Sequence, residues 1–170
     1  SVTIWFRTSD SERSAVVATE PTGGRYYALE VNSDGNGSVP GNVAFVVTDG
    51  GGVARAVSGR GNLNDGVWHH LVAMRKGQQI HLYVDGVREA TANLTGLIED
   101  VGGTINVGRS PQLDTFFQGY VDELSIWERA LTEGEIGSYA ASGFDSLEET
   151  FFESPVVDAG GASIWETLSW

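Results

Sequence analysis

Apolar and polar residues alternate most regularly across the middle of the chain. The run Val67-Trp68-His69-His70-Leu71-Val72-Ala73-Met74 puts Val67, His69, Leu71 and Ala73 on one face of an extended strand. Trp68, His70, Val72 and Met74 fall on the other. Ile80-His81-Leu82-Tyr83-Val84 follows, with Lys76-Gly77-Gln78-Gln79 as turn chemistry between the two runs and Asp85-Gly86 marking the next reversal. This pattern predicts a β-hairpin. Both of its faces carry apolar residues, so the hairpin belongs inside a layered structure and not at its edge.

The same period-two reading predicts strands over residues 2–8, 15–19, 26–31, 42–48, 53–57, 88–93, 104–108 and 119–127. One helix is expected over 132–141, opened by a capping box of Thr132 and Glu135 and closed by Gly143 as C-cap. Short strands at this spacing, with turn residues between them, predict a sandwich or barrel.

The string DGVWHHLVAMRKGQQIHLYVDGV, residues 65–87, resembles the central hairpin of laminin-G-like, concanavalin A-like jelly-roll domains, a group that includes the pentraxins. A second run from Phe117 to Thr132 resembles the closing strand of the same family, and the resemblance covers residues 1–143. It implies an all-β, antiparallel jelly-roll β-sandwich of concanavalin A-like type with one short helix. It also implies a strand ahead of the one at Val2, which this sequence lacks. Residues 144–170 then form a strand-like extension or the start of a following module. Two readings stay open: the chain is a piece of a larger protein, or segment 154–170 refills the vacant strand position in its own or a neighbouring chain by β-augmentation.

Composition narrows the function. No run approaches the ~20 apolar residues of a membrane-spanning helix, and the absence of cysteine excludes disulfides and thiolate metal sites. Residues 1–98 carry nine acids and eight bases, net −1, whereas 99–170 carry fourteen acids and two bases, net −12. Such a field repels nucleic acid and anionic membrane. It suits Ca²⁺ or a salty extracellular medium, and equally a plain solvated surface.

Few residues carry catalytic promise. His69 and His70 are adjacent on a strand and point to opposite faces, so they cannot chelate one ion together; the resemblance makes the pair a structural feature. There is no Gly-x-Ser-x-Gly elbow, His-Glu-x-x-His or phosphate loop. Glucanases of this fold set two acids on one strand face. Here the clusters are Asp122-Glu123 and Glu148-Glu149, and strict alternation would turn Asp122 and Glu123 apart, away from the ~5–9 Å pairing that glycoside hydrolysis needs. No enzyme activity is expected.

Metal and ligand candidates remain. Asn32-Ser33-Asp34-Gly35-Asn36-Gly37-Ser38 resembles the first half of a Ca²⁺ loop, with Asp34 and Asn36 as ligands, although its twelfth position is Val43 where a bidentate Glu belongs. The alternative is a polar hairpin turn. The family resemblance implies a Ca²⁺ ligand at Asp122, which could equally be a structural acid bonded to backbone amides. The aromatic doublets Tyr26-Tyr27 and Phe116-Phe117 each turn one ring outward on a strand, and such rings stack on sugars. Tyr27 and Phe116 are the candidates, with Asp114 in the loop before Phe116, while Trp5, Phe6, Trp68, Tyr83, Tyr120 and Trp127 fit core positions. The expected function is a noncatalytic recognition or adhesion module, extracellular or at the cell surface within a larger protein. It binds a glycan or an extracellular protein, assisted by Ca²⁺. The alternative is an assembly subunit whose C-terminal segment is a donated strand.

Overall fold

A computed structural model describes residues 1–48, 52–94 and 104–142. Twelve strands and one helix occupy them: β1 (Val2–Arg7), β2 (Ser14–Thr19), β3 (Tyr26–Ser33), β4 (Ser38–Thr48), β5 (Val53–Ser58), β6 (His69–Lys76), β7 (Gln79–Val84), β8 (Val87–Asn93), β9 (Ile105–Val107), β10 (Arg109–Ser110), β11 (Thr115–Phe116), β12 (Tyr120–Ile126) and α1 (Glu133–Ala141). The segment 144–170 and the C-cap candidate Gly143 lie outside the described residues.

Two five-stranded antiparallel sheets face each other. Sheet A has the order β12-β1-β6-β7-β8 and sheet B the order β5-β4-β3-β2-β9, with β10-β11 as a separate small hairpin. Of the sandwich and barrel that the alternation left open, the sandwich is observed, in the jelly-roll form that the resemblance implies. Its core lies between the sheets, where Ile4, Phe6, Leu71, Ile80 and Leu82 of sheet A meet Val17, Leu29, Val31, Val43 and Phe45 of sheet B. Each such aliphatic side chain, once fully buried, contributes about 1.5–3 kcal/mol.

The predicted central hairpin forms, with Lys76 opposite Gln79 and Leu71 opposite Val84. Its outward residues Val72, Met74 and Tyr83 are buried under Leu131 and Ile136, with Trp127 and Ala130 packed alongside. The apolar content of both faces is thus used twice. The capping box forms as read: Thr132 Oγ1 accepts from the Glu135 N–H at 3.2 Å, and the Thr132 N–H donates to Glu135 Oε2 at 2.8 Å. Ser142 is the C-cap, its N–H donating to Ser138 O.

Asp85 (φ 49°) and Gly86 (φ 78°) join β7 to β8 with both central residues left-handed, the two-residue turn that matches strand twist. The helix sits directly over this turn. A Cβ at Gly86 would stand 3.1 Å from Ala140 Cβ, whereas one at Gly23 (φ 58°) would meet nothing within 4 Å. In urea denaturation Gly23→Ala should therefore lose about 1 kcal/mol, from left-handed strain alone. Gly86→Ala should lose about 2 kcal/mol or more, because the helix must also shift. Equal losses would show that α1 yields freely.

Candidate recognition site

At one end of β1 the outward Arg7 faces Tyr120 across the sheet, since Arg7 pairs with Tyr120 in the β1–β12 ladder. The Arg7 guanidinium lies 4.5 Å from the Tyr120 ring centre and 5.2 Å from that of Trp68, a double cation–π arrangement. Tyr120, expected in the core, is 62% exposed. Beside it is a cavity of about 270 Å³ lined by Arg7, Thr8, Ser9, Gly66, Gly119 and Tyr120. The crossing that leads into β12 is fixed by Thr8 Oγ1, which donates to Gln118 O at 2.6 Å.

Phe116 stands just before that crossing and is 63% exposed. Its neighbour Phe117 turns inward and meets Phe6 edge-on, with centroids 6.4 Å apart. Asp114 is exposed in the turn between β10 and β11, at φ 51°. Phe116, Asp114 and Tyr120 thus share the Phe6 end of the sandwich. Tyr27 does not join them. It packs on the core and lines an apolar slot of about 230 Å³ with Val2, Phe45, Ala73, Ile126 and Trp127, at the opposite end of β1. It is half-buried, and burial pushes its phenol pKa up.

The metal candidates are equally separate. Asp34 Oδ1 accepts from the backbone N–H groups of Gly37 and Asn36, which hold its pKa below the usual carboxylate value. The neighbouring carbonyls of Gly35 and Asn36 accept from the guanidinium groups of Arg55 and Arg13. Loop oxygens already facing two cations do not fit a Ca²⁺ ion. Asp122 is exposed and accepts from the Glu123 N–H at 2.7 Å. Among the described residues no three His, Asp or Glu side chains converge to hold a metal.

The strict alternation assumed for Asp122 and Glu123 fails. The β1–β12 register slips between Thr3 and Trp5, and Glu123 takes φ 48°. This bulge leaves Val121 and Leu124 both packed on the core, and Asp122 and Glu123 both exposed. Glu148 and Glu149 lie outside the described residues. Among the described residues, the three carboxyls that their surroundings clearly perturb, Asp34, Asp85 and Glu135, all move downward, away from what a general acid needs.

The histidine pair splits as its strand geometry requires. His69 Nδ1 lies 3.0 Å from Asp85 Oδ2, and its Nε2 lies 3.3 Å from Asp65 Oδ1. The hydrogen bond to Asp85 is the main reason its pKa rises above 6.5, against the effect of burial. Burial opposes the charge on Asp85, yet contacts from His69, the His70 N–H and Arg60 keep its pKa low. His70 stacks on Trp5 at 5.1 Å and, being buried, has its pKa lowered to about 4.

A family profile described as the concanavalin A-like lectin/glucanases superfamily matches residues 1–137. The basement membrane-specific heparan sulfate proteoglycan core protein of Mus musculus is 35% identical over 81 residues; the match takes in 46% of this chain and 2% of that protein. The chain therefore spans only a small part of that relative's length. Among solved structures, domain 4 of AbnA, a GH43 extracellular arabinanase from Geobacillus stearothermophilus in complex with arabinotriose, superposes with a TM-score of 0.66 at 19% identity, over 82% of this chain and 65% of that one. Domains LG4-5 of the mouse laminin α1 chain give 0.55 at 26% identity, over 72% and 34%. The sialidase CBM40 of Ruminococcus gnavus gives 0.62 at 17%, over 82% and 80%. The fold is thus one shared by laminin G-like and carbohydrate-binding modules.

The adjacent histidines have opposite effects on stability. His70 stays neutral in the fold, so stability should rise with pH from about 4 to 6.5, by roughly 3 kcal/mol in total. His69 binds its proton more tightly folded than unfolded, so its contribution is full below 6.5 and is lost as pH rises through its raised pKa. Denaturation at pH 5, 6.5 and 8 should show a maximum near the middle value. His70→Phe should flatten the acid side and His69→Gln the alkaline side.

Proposed function

Because the chain belongs to the concanavalin A-like lectin/glucanases superfamily, we propose that it is a noncatalytic carbohydrate-recognition module of a larger extracellular or cell-surface protein, binding at the Tyr120 end of the sandwich. The observation that carries this reading is Tyr120 itself. It is a large ring kept exposed on a rigid strand, with one face on Arg7 and a cavity alongside. A sugar ring gains from such a platform because its C–H face packs on the aromatic surface at little entropic cost, while the Arg7 guanidinium and the Ser9 hydroxyl offer donors to its oxygens. Phe116 and Asp114, a few residues away on the β10–β11 hairpin, extend the surface available to a longer glycan.

The relatives support the ligand class. One structural neighbour is described with arabinotriose, and the same sialidase module has been described with sialyllactose. The net charge of −13 favours neutral glycans at this rim over polyanionic ones. Extracellular placement is supported by the laminin and basement-membrane proteoglycan relatives.

Calorimetric titration with arabinotriose tests the reading. Tyr120→Ala should raise Kd about tenfold or more, as truncation of an aromatic anchor does. Its melting temperature should hardly change, because the ring is exposed. Phe116→Ala should weaken longer glycans more than short ones. Equal binding by wild type and Tyr120→Ala would move the site elsewhere.

A further inference from the structure

A groove of about 630 Å³ runs along the outer face of sheet A beside the start of α1. This is within the range of about 300–1,000 Å³ common to small-molecule sites. Its floor is apolar, made by the buried side chains of Met74, Tyr83 and Leu131. Its walls carry Lys76, His81 and Arg88. That grouping runs against the character of a chain with net charge −13. Glu133 is the one acid among the lining residues, and its contact with Arg88 is exposed and 3.7 Å long, the kind of pair that contributes little.

His81 gives a second, independent observation. It is only 6% exposed yet lines the groove. Its Nδ1 bonds Thr91 Oγ1 at 2.9 Å, and its Nε2 has no partner among the described residues. Burial first, then Arg88 and Lys76, lower its pKa, so both cations act on the imidazole. Two cations and an unused ring nitrogen over an apolar floor suit a ligand with one negative charge, further polar groups and an apolar ring face.

We propose that this groove is a second carbohydrate subsite, one that takes an acidic sugar residue. Its carboxylate sits between Lys76 and Arg88, and its ring lies over Met74, Tyr83 and Leu131. A bound carboxylate gains charge-assisted hydrogen bonds from both cations. The apolar floor and the groove's size distinguish this ligand from a bare tetrahedral anion, which would leave the floor unused. The subsite is independent of the Tyr120 end. No residue lines both sites: Arg7 and Tyr120 lie on β1 and β12, whereas Lys76, His81 and Arg88 lie on β6, β7 and β8.

The experiment is an NMR titration of the His81 ring with methyl β-glucuronide, methyl β-glucoside and inorganic sulfate. The glucuronide should move the His81 resonances and raise its titration midpoint, since a nearby carboxylate favours the imidazolium. The glucoside should do neither, and sulfate should bind more weakly. Lys76→Ala and Arg88→Ala should each weaken glucuronide binding about tenfold or more, whereas Tyr120→Ala should leave it unchanged. Absence of glucuronide binding, a glucoside that binds as well, or unchanged affinity in Lys76→Ala would overturn the proposal. Sulfate matching the glucuronide would reduce the groove to a general anion patch and overturn it too.

Discussion

Strands β6 and β7 bury side chains on both of their faces, and a sheet built that way needs two covers. Sheet B supplies the inner one through Val17, Leu29, Val31, Val43 and Phe45. The stretch from Trp127 to Ile136 supplies the outer one, which is why α1 lies flat on sheet A. Much of the remaining local structure serves this double closure. The left-handed turn at Asp85-Gly86 leaves room for Ala140, and the capping box starts α1 immediately after Leu131 has been placed on Tyr83 and Met74. Asp85 ties the corner by accepting from the His70 N–H and meeting His69 and Arg60.

The elements that follow from alternation were legible because burial on a pleated sheet has a period of two. Leu71, Ala73, Ile80 and Leu82 could be assigned to one side from sequence alone, and so could the helix start at Thr132. What escaped were features set by departures from that period or by contacts between distant segments. The bulge at Glu123 carries no compositional mark, since Val121-Asp122-Glu123-Leu124 reads as an ordinary strand. It follows from the fit of β12 to β1. Tyr120 fits a core position in the sequence, yet as the first residue of β12, opposite Arg7, it points outward. Tyr27 was offered as the outward member of its doublet and turns inward instead, with Tyr26 against the alanines of sheet B's outer face.

The candidate sites show the same limit. Phe116 and Asp114 were legible as a loop-borne aromatic and its neighbour. Arg7, Trp68 and Tyr120 come from three elements whose meeting depends on the strand order β12-β1-β6. Lys76, Arg88 and Leu131 likewise face one groove only because α1 is laid across sheet A. The outcome is a sheet A with two chemically distinct patches: an aromatic ring braced by a guanidinium where β12 meets β1, and cations over an apolar floor on β6, β7 and β8. Both lie on sheet A, with the rigid core behind them.

The pairing of β1 with β12 has a kinetic consequence. These partners are separated by most of the described chain, so sheet A remains open until residues 120–126 have left the ribosome. At synthesis rates of about 5–20 residues per second, β1 waits on the order of ten seconds for its second neighbour. Closing so long a loop is slow, and the uncovered edge is prone to pairing with other chains in the meantime. The bulge and the adjacent carboxylates of β12 then have a use beyond geometry: once β12 docks, it gives sheet A, among the described residues, a twisted and negatively charged border of the kind that discourages unspecific strand addition.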